Sequence, residues 1–483
     1  MKLPITGPAY KHPSIDVNNQ RCVNMFTMTP GPEGRGTATL VPTAGLLNMT
    51  ILNSFPIRAF KAIENVIYAV AGNRAYKITI NLVTEVATTL EIGTLSTTTG
   101  DTYIAANPTQ IMFVDGTDGY IYTVGSGAFA IISDADFPTL PGGVVFLDGY
   151  FITFQTGTGL FYTSALNNGL AWDAADVATA ESNMDKIVGL GVVKGDLWLF
   201  GTISLEIWYN AANVSGSPFS PRDGLELRTG CGAAKSIVEL DDLLIWLDNR
   251  GFIVQSAISP FVRSNNSGYE LKIVSDEALT TEILSYADRS DAIAMSYNDR
   301  GHLMYQITFP SEHKTWVFDY TSKSWHERSF YNAQFGADEY HLAQYAANVG
   351  QLTIMAGIRN GRIFKSSPSV YEDFLQPIRR RRVTALQHDV ENYNLIGVDR
   401  VAVRIGIADS NVVSPKITMR YSNDGGHTWS HHLIRDLGAV GEYAKSITWN
   451  RLGVAREWLF EFSIVEPMPF SIIDATAIAS VEN

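Results

Sequence analysis

The sequence has only two cysteines, Cys22 and Cys231, among its 483 residues. Two thiols so far apart cannot form the disulfide framework that stabilises small secreted domains. Neither cysteine stands in a Cys/His spacing that is typical of a zinc site. The sequence therefore excludes a disulfide-rich scaffold, and we expect neither a metal site nor a cofactor.

Long apolar segments are also missing. The first residues, MKLPITGPAYKHP, lack the apolar stretch of a signal peptide. No apolar run approaches the ~20 residues that a membrane-spanning helix needs. We therefore expect a soluble protein that is made in a cytoplasm and does not insert into a membrane.

Positive charge is scarce. The chain contains 36 Lys and Arg residues and 49 Asp and Glu residues, which gives a formal net charge of −13. The sequence pI is about 5.2. A net acidic chain repels phosphate backbones and is a poor general binder of nucleic acid. Such a chain can still line a path through which DNA slides without adhering.

Residues that form strands and turns are abundant. Hydrophobic residues make up 46% of the chain and aromatic residues 11%, and 40 glycines punctuate the apolar runs. Short Val, Ile, Thr and Tyr runs suit a half-buried pleated surface, and the glycines suit tight turns. The composition therefore predicts a large all-β protein.

A hairpin pattern recurs over residues 57–376. Examples are NVIYAVAGNRAYKI, QIMFVDGTDGYIYTV and DLLIWLDNRGFIV, in which two strand-like runs flank a Gly, Asp or Asn turn. The spacing is roughly 35 to 55 residues, close to one four-stranded propeller blade. Because a lone hairpin cannot bury its faces, the pattern predicts a closed β-propeller of six or seven blades.

Two segments interrupt this pattern and predict short helical insertions. The first, WDAADVATAESNMDKIVGL, is rich in alanine, and the second is SDEALTTEILSYA. In the second segment Ser275 or Asp276 can cap a helix. Leu279, Ile283 and Tyr286 would then share one face.

The two ends of the chain read differently from the repeat. Residues 1–56 include TPGPEGRGTATLVPTAG and predict an extended arm, with short strands lying on the body or on a neighbour. Residues 377–483 contain longer alternating runs such as DRVAVRIGIA and REWLFEFSIVEP. They predict a separate carboxy-terminal antiparallel β-sandwich.

The stretch YSNDGGHTWS in that last domain is similar to the Asp-box hairpin of sialidases and other β-propellers. The residues that carry the similarity are Ser422, Asp424, Gly426, Thr428 and Trp429. In such a turn the Asp and Ser/Thr side chains hydrogen-bond to the local backbone. A sialidase would also need an arginine cluster, a tyrosine nucleophile and an acid. We therefore interpret the box as structural.

One concentrated basic run occurs, formed by Arg379, Arg380, Arg381 and Arg382. It could contact phosphates. We favour a hinge or interface between domains, in which the arginines pair with carboxylates of this acidic chain or of a neighbour. No nucleophile-elbow, phosphate-loop or dinucleotide signature occurs in a suitable setting. We therefore predict no catalytic residues and a protein that is not an enzyme.

The order of several segments resembles a known family. They are NNQRCVNMFTMTPGPEGRGTATLVPTAGL near the start, LAWDAADVATAESNMDKIVGLGVVKGDLWLFGTISLEIWYNAANVSGSPFS, GCGAAKSIVELDDLLIWLDNRG and IVSDEALTTEIL. The same order occurs in the tail nozzle or tail hub proteins of short-tailed bacteriophages, also called packaged-DNA stabilisation proteins. The final domain is similar to theirs too, so the resemblance spans most of the chain.

The resemblance implies a structural virion protein with no catalytic residues to carry over. Such proteins form a homo-hexameric ring below the portal and its adaptor ring. The ring extends the channel for double-stranded DNA and helps to retain the packaged DNA until a plug or needle is released. Tail spikes or fibres are further implied partners. The alternative is a β-propeller tail protein that binds or hydrolyses carbohydrate. A concave pocket with converging arginines and carboxylates would favour this alternative.

Overall fold

The computed structural model describes residues 2–7, 9, 19–29, 38–180, 185–258, 269–332, 334–389, 394–407, 412–438 and 444–482. Residues 1, 8, 10–18 and 30–37 of the predicted arm and residues 181–184 of the first predicted helical insertion lie outside the described residues. Five short strands precede the repeated pattern: β1 (Lys2–Leu3), β2 (Arg21–Val23), β3 (Met25–Met28), β4 (Thr39–Pro42) and β5 (Gly45–Ile51).

Four antiparallel sheets of four consecutive strands come next in the chain. The first sheet contains β6 (Ile57–Ile63), β7 (Val66–Ala71), β8 (Arg74–Ile80) and β9 (Ala87–Thr94). The second contains β10 (Tyr103–Ala106), β11 (Gln110–Val114), β12 (Gly119–Thr123) and β13 (Ala128–Ile131). The third contains β14 (Pro141–Leu147), β15 (Tyr150–Gln155), β16 (Leu160–Ala165) and β17 (Asn168–Thr179). The fourth contains β18 (Ile187–Val193), β19 (Asp196–Gly201), β20 (Leu205–Asn210) and β21 (Phe219–Leu227).

Three further sheets complete the repeat. A 3₁₀ helix (Ala234–Ser236) precedes the fifth sheet, which contains β22 (Val238–Leu240), β23 (Leu243–Leu247), β24 (Ile253–Ile258) and β25 (Tyr269–Ile273). Helix α1 (Glu277–Leu284) leads to the sixth sheet, with β26 (Ile293–Asp299), β27 (His302–Phe309), β28 (Lys314–Asp319) and β29 (Ser324–Glu327). A hairpin of β30 (Ser329–Asn332) and β31 (Ala337–Tyr340) precedes the seventh sheet, with β32 (Tyr345–Val349), β33 (Leu352–Ala356) and β34 (Arg362–Ser367). The short strands β35 (Glu372–Asp373) and β36 (Gln376–Pro377) follow.

The seven sheets are the blades of a closed propeller. Their innermost strands β6, β10, β14, β18, β22, β26 and β32 contact one another in this order, and β32 contacts β6. Apolar clusters fill the spaces between neighbouring blades; one of them packs Ile67 of the first blade with Ile354 of the seventh. Each blade therefore packs against a neighbouring blade on both sides. The predicted propeller is confirmed, with seven blades, the larger of the two predicted numbers.

The seventh blade is completed by the beginning of the chain. Strand β5 pairs antiparallel with β34, with Leu47 opposite Lys365. Without β5 this blade would have three strands and an open outer edge. The ring is therefore closed by hydrogen bonds between segments that lie about three hundred residues apart.

The two predicted helical insertions differ in outcome. Helix α1 is confirmed: Asp276 caps it by accepting a hydrogen bond from the amide of Leu279 at 2.8 Å, and Leu279 and Ile283 are buried. The prediction was wrong for the alanine-rich segment, whose residues up to Thr179 extend β17 and pair with β16. Pairing with an existing strand satisfies the backbone, and this outweighs the helix propensity of alanine.

The last domain is a two-sheet sandwich, as predicted. Its strands are β37 (Arg380–Val383), β38 (Gln387–His388), β39 (Leu395–Ile407), β40 (Lys416–Ser422), β41 (Leu433–Asp436), β42 (Ala444–Ala455), β43 (Glu457–Ile464) and β44 (Phe470–Glu482). One sheet has the order β3-β4-β44-β39-β42, with β1 beside β44, and the other contains β37-β43-β40-β41. Trp449 of the first sheet and Phe462 of the second meet in the shared core.

Strand β2 joins the propeller to the sandwich. It pairs antiparallel with β37, with Cys22 opposite Arg382, and parallel with β29, with Val23 opposite Glu327. The sixth blade and the second sandwich sheet thereby form one ten-stranded sheet. The described part of the predicted arm is thus built into both domains, while the boundaries at residues 56 and 376 stay predictions.

Candidate functional site

The arginine run lies at this junction, and strand geometry divides it into two pairs. Successive side chains on a strand point to opposite faces. Arg380 and Arg382 lie opposite Ile464 and Phe462, two residues of the sandwich core, and both arginines are fully buried. Arg379 and Arg381 therefore belong to the other, outward face of the same sheet.

The inward pair is held mainly by neutral oxygen atoms. Arg380 donates hydrogen bonds to the carbonyl oxygens of Tyr371 at 2.8 Å and Glu466 at 3.1 Å. Arg382 donates to the side-chain oxygen of Gln20 at 2.7 Å. These guanidinium groups tie the sandwich to the segment before it and to the amino-terminal strands, and their burial keeps them from any external phosphate.

The outward pair is neutralised by carboxylates. Arg381 lies between Asp338, at 3.3 Å, and Glu461, at 2.7 Å. Arg379 also pairs with Asp338, at 3.1 Å. Arg420 of the next strand but one binds the same Glu461 through two hydrogen bonds of 2.8 and 3.0 Å. Strands β37, β43 and β40 and the β30–β31 hairpin thus share an ion-pair network.

The network continues across β2 to the propeller. Arg21 binds Glu327 with two hydrogen bonds of 2.8 and 2.6 Å, and Lys314 lies 3.8 Å from the same carboxylate. Lys314 also approaches Glu282 of α1, at 3.6 Å. Burial acts to raise the pKa of Glu327, but the attraction of Arg21 lowers it to about 2. We call the set Arg21, Lys314, Glu327, Asp338, Arg379, Arg381, Arg420 and Glu461 the seam network.

The Asp-box folds as a turn between β40 and β41. Asp424 accepts hydrogen bonds from the Thr428 amide at 2.9 Å, the Thr428 hydroxyl at 2.6 Å and the Ser422 hydroxyl at 2.6 Å. The Ser422 hydroxyl in turn accepts one from the Gly426 amide at 2.9 Å. Burial acts to raise the pKa of Asp424, but these hydrogen bonds hold it well below its usual range.

The box also contacts two other parts of the site. Trp429 lies under the guanidinium carbon of Arg420, which is 4.7 Å from its ring centre, so the box reaches the seam network. Asn19 of the amino-terminal segment donates to the carbonyl oxygen of Gly425 at 3.2 Å. Gly426 has a φ of 104°, a conformation that favours glycine, and a Cβ there would displace the Asn19 amide, which lies 2.3 Å from the Cβ position.

The structure therefore brings together the two residue groups that the sequence singled out. Their link runs from Trp429 through Arg420 and Glu461 to Arg381. Sequence reasoning missed the carboxylates and Arg21, because isolated charges in alternating strands carry no pairing information. The alternation in REWLFEFSIV is the one signal that could have placed Glu461 on the face of its strand opposite Trp458, Phe460 and Phe462.

Two consecutive parts of the chain match family models of the same phage protein. Residues 1–365 match the model described as "Bacteriophage P22 Gp10, beta-propeller". Residues 380–480 match the model described as "Bacteriophage P22 Gp10, beta-sandwich". The chain belongs to the P22 Gp10 family.

Membership of the P22 Gp10 family confirms the resemblance drawn from the order of segments. The chain is a structural protein of a phage tail, in a family of tail hub proteins that stabilise packaged DNA. Its propeller and sandwich correspond to the two domains that the family models describe. No helix among the described residues is long and apolar enough to cross a membrane.

Solved structures add only distant similarity. YCF48 bound to D1 peptide matches at 12% identity over 70% of this chain and 97% of that chain, with a TM-score of 0.40. A fungal alcohol oxidase of the AA5 family, in complex with copper, matches at 11% identity over 90% of this chain and 99% of that chain, with a TM-score of 0.45. No curated protein sequence matches the chain. The fold description therefore rests on the sheets themselves and on the P22 Gp10 family models.

Proposed function

We propose that this chain is the nozzle subunit of a short-tailed phage tail. Six copies form a ring below the portal and its adaptor ring, and the ring extends the channel for double-stranded DNA. The ring helps to retain the packaged DNA until a plug or needle is released. Tail spikes or fibres attach to the same assembly in the virion, after the subunits have been made in the host cytoplasm.

The observation that carries this proposal is that the arginine run of this P22 Gp10 family member is buried or paired with carboxylates. Arg380 and Arg382 are buried, and Arg379 and Arg381 are paired with Asp338 and Glu461. The run therefore does not offer a strip of free guanidinium groups to a phosphate backbone. With a net charge of −13 for each subunit, a ring would repel the duplex and let it pass.

The junction between the domains supports a mechanical role. A ten-stranded sheet runs from the sixth blade into the sandwich, and the seam network crosses it. Backbone pairing and charge pairing at one junction resist relative movement of the two domains. Such a rigid junction suits the wall of a DNA channel.

We also propose that the chain is not a glycosidase. Ser422, Asp424 and Thr428 are engaged in hydrogen bonds of their own turn. These contacts support the structural interpretation of the Asp-box. Hydrolysis of a sialoside or of a polysaccharide by the purified chain would favour the alternative function instead.

The test combines assembly with DNA retention. Native mass spectrometry and electron microscopy of the purified chain with the phage's own portal-adaptor complex are expected to show a sixfold ring. Particles made without the chain are expected to package DNA and then release it. Monomers that never join the tail, or particles that keep their DNA without the chain, would overturn the proposal.

A further inference from the structure

The propeller axis contains two adjoining cavities of about 380 and 230 Å³. Residues from the innermost strands of all seven blades line them, and the two cavities share Lys61, Tyr103, Ile104 and Ile237 as lining residues. The two cavities are therefore neighbouring parts of one space at the propeller axis. We call this space the axial cavity.

Lys235 reaches the axial cavity from the 3₁₀ helix before the fifth blade. Its ammonium group donates hydrogen bonds to the carbonyl oxygens of Thr102 at 2.5 Å and Arg58 at 3.2 Å. The same ammonium lies 4.0 Å from the centre of the Tyr103 ring. Lys235 thus connects the fifth blade to the innermost strands of the first and second blades. Its direct partners are neutral groups.

Arg58 is a second cation close to Lys235, but its guanidinium group lies against the loop that follows the first blade. It donates hydrogen bonds to the carbonyl oxygens of Gly72, Thr97, Thr99 and Gly100, at 2.7 to 2.9 Å. These acceptors are again neutral. The carboxylate of Asp101 attracts both Arg58 and Lys235 from beyond ion-pair distance, so their charge is offset only in part.

Lys61 is the third cation, and it lines both cavities. Its side chain is exposed at the axial cavity, while the surrounding blades desolvate it and lower its pKa. Glu239, which also lines the larger cavity, acts on Lys61 through longer-range attraction. Among the described residues, no carboxylate lies within ion-pair distance of Lys61, Lys235 or Arg58.

We propose that the axial cavity binds a small anion, a molecule that bears a phosphate or carboxylate group, at Lys61 and Lys235. Two lysines without an ion-pair partner among the described residues, Lys61 and Lys235, line one partly enclosed space in a chain whose net charge is −13. Enclosed, unneutralised charge is costly, and an anion that accepts charge-assisted hydrogen bonds offsets that cost. The cavity volumes suit a small molecule rather than a polymer. The inference does not depend on the role of the chain in the tail.

The test measures binding of inorganic phosphate and of succinate to the full chain by isothermal titration calorimetry at pH 7. At least one probe is expected to bind with 1:1 stoichiometry, and the probe that binds identifies the anionic group of the ligand. Lys61→Met is expected to weaken binding at least about tenfold, and Lys61→Arg to retain it within about threefold.

Two further variants separate charge from folding. Lys194 lines the larger cavity but pairs with Asp242 at 3.2 Å, so Lys194→Met is expected to change binding less than about twofold. Glu239→Gln removes a competing carboxylate and is expected to tighten binding, which misfolding cannot imitate. Absence of saturable binding by both probes, or equal binding by Lys61→Met and the parent chain, would overturn the proposal.

Discussion

The carboxylate of Glu327, on the last strand of the sixth blade, receives two hydrogen bonds from the guanidinium group of Arg21, on β2. Glu327 is 6% exposed, so its charge depends on this partner. The two residues are 306 positions apart in the chain. Their pairing fixes the strand that connects the propeller to the sandwich.

Replacement of Arg21 by alanine is expected to destabilise the chain by about 3 to 5 kcal/mol, because it leaves a buried carboxylate without its main partner. The pKa of Glu327 is about 2 in the folded chain, below its ordinary value of 4.5. The stabilisation is therefore present above pH 4.5 and is lost as the pH falls towards about 2. Urea unfolding at pH 7 and at pH 4 measures both effects.

Arg404→Ala is the matched control for this experiment. Arg404 forms an ion pair with Asp474, but its side chain is 61% exposed. Exposed pairs contribute about 0 to 1 kcal/mol, so this variant is expected to stay close to the parent chain. Equal losses for both variants would show that Arg21 has no special role at the junction.

His326→Phe is expected to make the chain less sensitive to acid. His326 is buried, its ring nitrogens have no hydrogen-bond partner among the described residues, and burial lowers its pKa from 6.5 to about 3. The unfolded chain therefore binds a proton that the folded chain excludes, and stability falls by about 1.4 kcal/mol per pH unit below pH 6.5. Phenylalanine can keep the ring contact with Phe26 and removes the titrating group.

Thermal unfolding between pH 7 and pH 4 tests this effect. The exposed His432 offers the control His432→Gln, which is expected to follow the parent curve. Burial also lowers the pKa of His341, which adds to the acid sensitivity, whereas burial raises the pKa of Asp373 to about 6, which opposes it. Parallel curves for His326→Phe and the parent chain would contradict the assignment.

Asp424→Ala is expected to destabilise the sandwich by about 1 to 2 kcal/mol, because the Asp-box turn loses its central acceptor. Chemical unfolding followed by tryptophan fluorescence measures the change. The control is Asp436→Ala on the neighbouring strand, whose side chain is 66% exposed and lies 3.7 Å from Lys416. A loss no greater than in the control would show that the box does not stabilise the turn.

The free chain is expected to show no measurable affinity for double-stranded DNA at physiological salt. Its net charge is −13, and the arginine run is buried or paired. Fluorescence anisotropy across salt concentrations checks this, with Arg379→Ala combined with Arg381→Ala as the comparison. Submicromolar, salt-sensitive binding that disappears in the double variant would identify the run as a phosphate clamp.

Local patterns predicted much of the fold. The hairpin repeat indicated the propeller, the long alternating runs indicated the sandwich, and the residues around Asp276 indicated helix α1. The helix predicted for the alanine-rich segment was wrong, because β17 forms by pairing with β16 and not by local preference. The Asp-box succeeded because all of its hydrogen bonds join residues within a few positions of each other.

The sequence by itself determined the β-rich class, the acidic character and the turn chemistry, because each depends on composition or on near neighbours in the chain. Only the tertiary structure decided that β5 closes the seventh blade and that β2 joins the two domains. It also decided that alternate arginines of Arg379–Arg382 lie on opposite faces of their sheet. The same holds for the pairing of Arg21 with Glu327 and for the meeting of Lys61 and Lys235 at the axial cavity. Such contacts join residues tens to hundreds of positions apart, and their energy depends on burial and geometry that no local pattern encodes.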